Sequence, residues 1–476
     1  MNSTSPTLLW LRRDLRLSDH PGWEAALANG GPVIPVFILD PFIETTYGTA
    51  PKWRLGESLN ALDHDLRKQG SRLILRRGDA ESVLDALIAQ TGATHVVWSR
   101  QYEADAIARD TAIKAHLKAS GIEAQSVNAA LLFEPWTVET KTGGIYRVYT
   151  PFWKSVRDRD PGAPLKAFTN LNAPDDWPES DLLADWKLGA DMRRGAVIVS
   201  QHACIGETRA LARLDSFISD TIHRYKSERD FPQLHATSCL SENLTYGEIS
   251  PRQMYHAGRI AQEALGPKAS EAEHFLKEVV WREFAYHLLF HTPEIATGNW
   301  RAEWDAFPWR DDNPDATRWR RGLTGIEMVD AAMREMYVTG TMHNRTRMLV
   351  ASFLTKHLMT HWQVGEAWFR DCLIDWDPAA NAMGWQWTAG SGPDAAPYFR
   401  IYNPDTQAEK FDAGRGYRDR FIAEGRQNPH EDALAYFEAI PKSWSMSPTD
   451  PYPAPVIGLS EGRERALEAY QNRVPA

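Results

Sequence analysis

Cysteine is scarce in this chain of 476 residues: Cys204, Cys239 and Cys372 are far apart and form no CxxC pair, which leaves no basis for a disulfide framework or a zinc or iron–sulfur site. Long apolar runs are missing as well. The N-terminus MNSTSPTLLWLRRDLR has no extended apolar core, and nowhere is there a run of about eighteen apolar residues, so neither a secretory signal nor a membrane span is read and the cytoplasm is expected. There is no basic surplus either. A net charge of −10 argues against a surface that binds nucleic acid everywhere, while a local basic groove stays compatible with it. No GxGxxG follows the first strand-like run, so the dinucleotide fingerprint is absent. Internal repeats and low-complexity tracts are lacking too, and the proline-bearing tail after Pro441 says little.

What is present fits a soluble globular protein, with 43% hydrophobic and 24% charged residues. The length allows about two to four domains. In the first third, Leu8 to Leu11, Val33 to Leu39, Arg72 to Arg76 and His95 to Trp98 read as strands, and Gly56 to Gln69 and Ala80 to Gln90 as helices. That alternation predicts a doubly wound parallel sheet, and RRDLRLSD at Arg12 to Asp19 then falls where such sheets bind ligands. From about Gly143 to Gly206 the pattern weakens among prolines and reads as a long linker. Beyond Thr208 the patterns are long and helical, as in Arg209 to Lys226, Glu271 to Phe290, Gly325 to Tyr337 and Met342 to Leu358. The expected organisation is an α/β domain over 1–132, a linker over 133–206 and a helical domain over 207–476.

The stretch from Asp375 to Phe399, DWDPAANAMGWQWTAGSGPDAAPYF, sets two carboxylates, two amides and three tryptophans within the residues from Asp375 to Trp387. Trp is large and its N–H needs a partner when buried, so polar groups crowded beside it point to a planar, hydrogen-bonding ligand. Two helical segments carry related faces. Glu278, Trp281 and Arg282 stand at i, i+3 and i+4, and so do Asn344, Arg347 and Met348. Asn and Met beside Arg make a poor salt-bridge surface, and Trp is seldom spent on one.

TSCLSENL at Thr237 to Leu244, WREF at Trp281 to Phe284, GTMHNRTRM at Gly340 to Met348 and DWDPAANAMGWQW at Asp375 to Trp387 together resemble the photolyase/cryptochrome family of flavoproteins, most closely its class I cyclobutane pyrimidine dimer photolyases. The likeness runs from LLWLRRDLRL to NPDTQAEKFD at Asn403 to Asp412. It implies an N-terminal α/β domain, a long linker and a helical domain holding FAD. Carried over by position, Tyr225, Thr237, Ser238, Leu240 and Ser241 would receive the pyrophosphate, and Arg282, Asn344, Arg347, Asp375, Asp377 and Asn381 would surround the ring and ribose, with Asn381 facing flavin N5. An amide there can both donate and accept. Asp375 and Asp377 are also residue types that cap helices.

The same resemblance makes Trp385, Trp362 and Trp309 an electron path from the flavin to the surface. It assigns Glu278, Trp281, Asn344, Met348 and Trp387 to a pocket for the dimer, and Arg229, Arg282, Arg345, Arg400 and Gln407 to the surrounding DNA contacts. RWRR at Arg318 to Arg321 is read first as ordinary surface charge. The implied activity is light-dependent repair of DNA by a monomer: reduced, photoexcited FAD donates an electron to a dimer flipped out of the duplex, the dimer splits, and the electron returns. Base flipping by photolyases is itself one of the recognised examples of the phenomenon. A single His343 stands where (6-4) photoproduct enzymes typically carry a His pair, which disfavours that substrate; a photosensory role through a partner is the alternative from another class.

Three departures from the family pattern stand out. Cys239 and Glu242 alter the flavin loop, Ala382 and Met383 alter the ring-facing segment, and Asp105 and Ala106 replace the Asn and Glu expected of a folate antenna site in SRQYEADAIARD at Ser99 to Asp110. A deazaflavin, a folate, a flavin or no antenna all remain open.

Overall fold

Apolar strands with both faces covered read as unbroken hydrophobic runs, and TLLWL and VIPVFIL form such strands, buried along their whole length, in the computed structural model, which describes residues 5–394 and 399–473. Positions 395–398, within the Asp375 to Phe399 stretch, lie outside the described residues, as do 1–4 and 474–476. Five strands, β1 (Thr7–Leu11), β2 (Val33–Leu39), β3 (Ile74–Arg77), β4 (His95–Ser99) and β5 (Glu123–Val127), make one sheet in the order β3-β2-β1-β4-β5. Every pairing is parallel. β3 begins two residues later than its sequence pattern suggests, and β5 has no sequence signal because EAQSV is a polar edge strand with a single buried residue. Helices α1 (Pro21–Ala28), α2 (Thr49–Lys68), α3 (Ala80–Thr91) and α4 (Ala104–Ala119) accompany the sheet, with a short helical stretch at Pro41–Thr46.

The strand order reverses between β1 and β4, where parallel sheets usually hold a ligand. Here the chain fills that crevice itself. Arg12 donates to both carboxylate oxygens of Asp110 at 2.9 and 2.7 Å and lies 4.6 Å over the Trp10 ring, while Arg109 lies on the same ring and pairs with Asp40 at 2.5 Å. Farther along RRDLRLSD, Arg13 donates to the Thr245 carbonyl at 3.0 Å, Arg16 to the Gly247 and Ala129 carbonyls at 3.0 and 2.8 Å, and Asp19 accepts from Arg252 at 2.8 Å. Several of the motif's charges thus join the α/β domain to the helical one.

The segment expected as a linker runs along the sheet, with the Asn172 carbonyl accepting from Val33 N–H and Asp181 N–H donating to Leu75. It contains short helices at Tyr149–Val156 and Gly195–Ser200. Beyond it, α5 (Glu207–Asp220) stops at Thr221 instead of running on to Lys226, and Tyr225–Glu228 forms a separate turn. Then come α6 (Ala269–His291), α7 (Glu327–Thr339), α8 (Asn344–Ser352), α9 (Trp362–Cys372) and α10 (Pro378–Ala389), with a π-helical turn at Phe353–His357 continuing α8. α10 packs against α6, α8 and α9, which brings the motif-bearing segments together. Among the described residues, no helix is long and apolar enough to cross a membrane.

Arg54 fixes the two domains from inside. Fully buried, it donates to Glu242 at 3.0 Å, to Glu248 at 2.7 Å and to the Cys204 carbonyl at 2.7 Å. Glu242, a departure in the flavin loop, thus turns towards the domain interface.

Candidate functional site

The first residues of α10 organise the site. Proline tolerates the first helical position because its missing N–H would be unpaired there, and Pro378 puts Asp377 at the N-cap, where one carboxylate oxygen accepts from Ala379 and Ala380 N–H at 3.1 and 2.9 Å. Asp377 is therefore a helix cap and more. Its other oxygen accepts from the Tyr286 hydroxyl at 2.7 Å, with Arg13 and Arg282 nitrogens at 3.8 and 4.0 Å.

Asp375 caps nothing. One oxygen accepts from Arg347 at 2.7 Å, and Arg347 is itself anchored to the Met342 carbonyl at 2.7 Å; the other oxygen is buried without a partner. A buried, unpaired carboxylate oxygen costs on the order of 1–3 kcal/mol, so this one calls for a donor that a ligand can bring. Asn381 stands one turn into α10 and donates to Glu366 at 2.9 Å. That leaves its carbonyl oxygen as the free end of the amide. Three residues on, Gly384 has open space where a Cβ would sit, although it is in mid-helix. Trp385 follows, 2% exposed, with a buried and unpartnered indole N–H. An unpartnered carboxylate oxygen, an unpartnered indole N–H and open space beside Gly384 suit a ligand that carries both donors and acceptors, so these residues fit FAD.

Trp385 presses its ring edge on Gly365 of α9, where a Cβ would come within 2.0 Å of it. Only glycine permits that approach. α9 begins at Trp362, three residues before Gly365, so one helix carries the second tryptophan and the seat of the first. Trp362 is fully buried and donates to Asn299 at 2.8 Å. His361 bridges outwards, its ring 5.6 Å from Trp362 and 5.3 Å from the half-buried Trp309.

The proposed phosphate loop, Thr237, Ser238, Leu240 and Ser241, precedes the short helix Ser241–Tyr246. Cys239 takes the left-handed backbone conformation, with φ of 51°, and its side chain is exposed. Tyr225 packs edge-on to Phe217 and Phe275. Around the rim, Glu278 is ion-paired with Arg229, and Arg345 pairs with Asp230 at 2.6 Å. Trp387 donates to the Asp394 carbonyl at 3.0 Å with Arg400 at 5.9 Å over its ring. Gln407 has a buried, unpartnered carbonyl oxygen. Asn344 is exposed at the start of α8, and Met348 is half-buried one turn later.

Two assignments look different in three dimensions. Trp281 has one face stacked on Tyr149, centroids 3.7 Å apart and planes 10° apart, so only its other face is free. Arg282 donates to the Ala130 carbonyl at 2.7 Å and lies over Tyr286 at 4.8 Å, which turns it inwards across the domain interface. In the RWRR run, Trp319 is fully buried, 6.1 Å edge-on from Trp385. His343 caps α8, its ring nitrogen accepting from Arg345 N–H at 3.2 Å, and burial pushes its pKa down to about 4, so the imidazole is neutral at neutral pH. Glu366, Gly365 and Tyr149 carried no sequence signal, because each acts only through a partner distant in the chain.

Residues 7–171 match the DNA photolyase family and residues 275–472 match the FAD binding domain of DNA photolyase. The chain is 46% identical over 472 residues to a deoxyribodipyrimidine photo-lyase of Agrobacterium fabrum, covering 98% of each chain. The chain belongs to the DNA photolyase family. A class III photolyase structure from Agrobacterium tumefaciens superposes with a TM-score of 0.90 at 45% identity, covering 99% of this chain and 98% of that one. An archaeal photolyase from Sulfolobus tokodaii, solved with two FAD molecules, matches with a TM-score of 0.79 at 28% identity, over 98% of this chain and all of that one. Membership makes this photolyase-family chain a lyase that uses FAD and acts on damaged DNA in a light-dependent repair reaction.

Proposed function

We propose that the damage repaired is the cyclobutane pyrimidine dimer, and that Glu278, Trp281, Asn344, Met348 and Trp387 receive it. When bound, reduced FAD supplies the photoexcited electron that weakens the cyclobutane ring. Two carbon–carbon bonds break, two pyrimidines form, and the electron returns, so the reaction has no net oxidation or reduction. The observation that carries this reading is the layout of α8. Arg347, which holds Asp375, lies between Asn344 and Met348 within one turn, so the groups proposed to meet the dimer share a helix with a group proposed to hold the flavin.

The free face of Trp281 and the ring of Trp387 supply apolar surface for the fused bases. Asn344 offers an amide to their polar edges, and Met348 fills the gap between them. Glu278, held by Arg229, accepts from a pyrimidine N–H. Arg345 and Arg400 meet backbone phosphates, which position the DNA without reading its sequence; Arg301 and Arg473 line a small cleft beside Trp387 with Arg400 and extend that basic strip. A neutral, helix-capping His343 supplies no acid for (6-4) photoproduct chemistry. The motifs favour class I, whereas the Agrobacterium structure is that of a class III photolyase; the proposed reaction holds for either class.

The test uses UV-irradiated oligothymidine with the reduced, FAD-bound protein. Base absorbance should recover under blue light and stay flat in darkness. Recovery instead on a (6-4) duplex, or on neither substrate with FAD bound and reduced, would overturn the proposal.

A further inference from the structure

Trp281 and Trp387, the two indoles assigned to the dimer, stand on helices that pack together, α6 and α10, yet each is steadied by a residue from outside its own helix. Behind Trp281 lies Tyr149, from the short helix of the linker. Its ring is stacked on the indole at 3.7 Å and 10°, and its hydroxyl donates to the Lys277 carbonyl at 2.6 Å, one turn before Trp281 on α6. Phe284 meets both rings edge-on, at 5.8 and 5.9 Å. Tyr149 is buried and Trp281 half-buried, so the exposed part of the stack is indole.

Asp394 plays the corresponding part for Trp387. The chain leaves α10 at Gly390 and folds back so that Gly392 N–H reaches the Gln386 carbonyl at 3.0 Å. It then takes a left-handed turn at Asp394, with φ of 52°, a conformation that Asp tolerates better than most residues. That turn brings the Asp394 carbonyl to the Trp387 indole N–H at 3.0 Å. Burial pushes the pKa of the Asp394 carboxyl up, and the Tyr149 backbone N–H beside it opposes that rise. Asp394 thus meets Trp387 through its main chain and the support of Trp281 through its side chain, and the two indoles share one frame.

Rigid walls suit a rigid guest. The cyclobutane ring joins two pyrimidines through two carbon–carbon bonds, so the dimer is a fixed, bent block, whereas undamaged neighbouring bases are separate flat rings that tilt independently. Mobile indoles would close on a single flat base. Indoles held in place do not, and the full apolar contact is then made only by a block that spans them, with no ordering cost left for the walls. We propose that Tyr149 and Asp394 are positioning residues that lock the Trp281 and Trp387 planes and thereby set the preference for the dimer over undamaged bases. This selectivity rests on the dimer reading of the pocket, which it deepens. Both residues act through the indoles, so their loss should move dimer binding and leave the flavin chemistry alone.

The experiment measures, for the full-length, FAD-bound protein in darkness, the Kd for UV-irradiated and for unirradiated oligothymidine, and then KM and saturated turnover for repair under blue light. Tyr149→Leu should weaken binding of the irradiated strand by about tenfold and Asp394→Ala by about fivefold, each with a matching rise in KM. Affinity for the unirradiated strand, FAD content and saturated turnover should stay close to wild type. Tyr149→Phe, which keeps the stack and drops only the hydroxyl, should restore the wild-type preference. An unchanged ratio of the two affinities in both Tyr149→Leu and Asp394→Ala overturns the inference, and so does a loss shared equally by the two strands. If Tyr149→Leu fails to fold, the ratio in Asp394→Ala decides alone. The wild-type protein separates the two readings: if it neither prefers nor repairs the irradiated strand, the proposed function falls, whereas wild-type repair beside unchanged variants removes only the frame.

Discussion

Two of the crevices among the described residues hold buried carboxylates, and they differ in whether those carboxylates are matched. At the end of the sheet, Arg12 meets Asp110 and Arg109 meets Asp40. In the helical domain, Asp375 has one oxygen on Arg347 and the other buried alone, and Trp385 has an unpartnered indole N–H. Matched carboxylates build scaffold, whereas a buried carboxylate oxygen left over is tolerated where a ligand completes it.

The comparison should break along function on one side and stability on the other. The largest effect is expected from Trp385→Phe, which should nearly abolish photoreduction of oxidised FAD, read from its visible absorbance under blue light, and leave the unfolding midpoint close to wild type. Arg12→Met strands Asp110 in a largely buried crevice and should cost about 3 kcal/mol of stability in denaturant unfolding, with repair by the folded protein retained. Glu278→Gln keeps the shape of the rim but removes the charge facing Arg229; repair yield should fall by about tenfold with FAD bound, and an unchanged yield would remove Glu278 from the dimer pocket.

The smallest effect concerns Glu283, whose carboxylate accepts from Leu132 and Phe133 N–H at 2.7 and 3.3 Å with its second oxygen unpartnered. Burial pushes its pKa up to about 7, against the opposing pull of Arg282. The folded state thus holds a proton that the unfolded chain releases near pH 4.5, so this contribution to stability is complete below that pH and is lost as pH rises through about 7. Glu283→Gln should flatten that fall and raise stability at pH 8 by about 1 kcal/mol, measured as the shift in unfolding midpoint between pH 5 and pH 8.

The helical site was legible because its groups cluster in three short segments whose spacing survives folding: Glu278 and Trp281 on α6, Asn344 to Met348 on α8, and Asp375 to Trp387 around α10. Their joint meaning came from family resemblance, since spacing alone left salt-bridged faces and helix caps as alternatives. Three features were hidden for physical reasons. β5 is a polar edge strand that depends on β4 for its shape. RRDLRLSD occupies the ligand position of a parallel sheet, but its partners, Asp110, Thr245 and Gly247, lie far along the chain. The frame of Tyr149 and Asp394 joins the linker to the turn after α10, so no local pattern announces it.

The contrast between matched and unmatched charge is tested most directly by the FAD content of Asp375→Ala beside that of Arg12→Met, with the unfolding free energy of each apoprotein measured in parallel. The expected result is a roughly hundredfold weaker hold on FAD in Asp375→Ala with apoprotein stability within about 1 kcal/mol of wild type, and the reverse pattern in Arg12→Met. If Asp375→Ala kept its FAD while its apoprotein lost several kcal/mol, Asp375 would be scaffold, and the flavin would have to be held elsewhere.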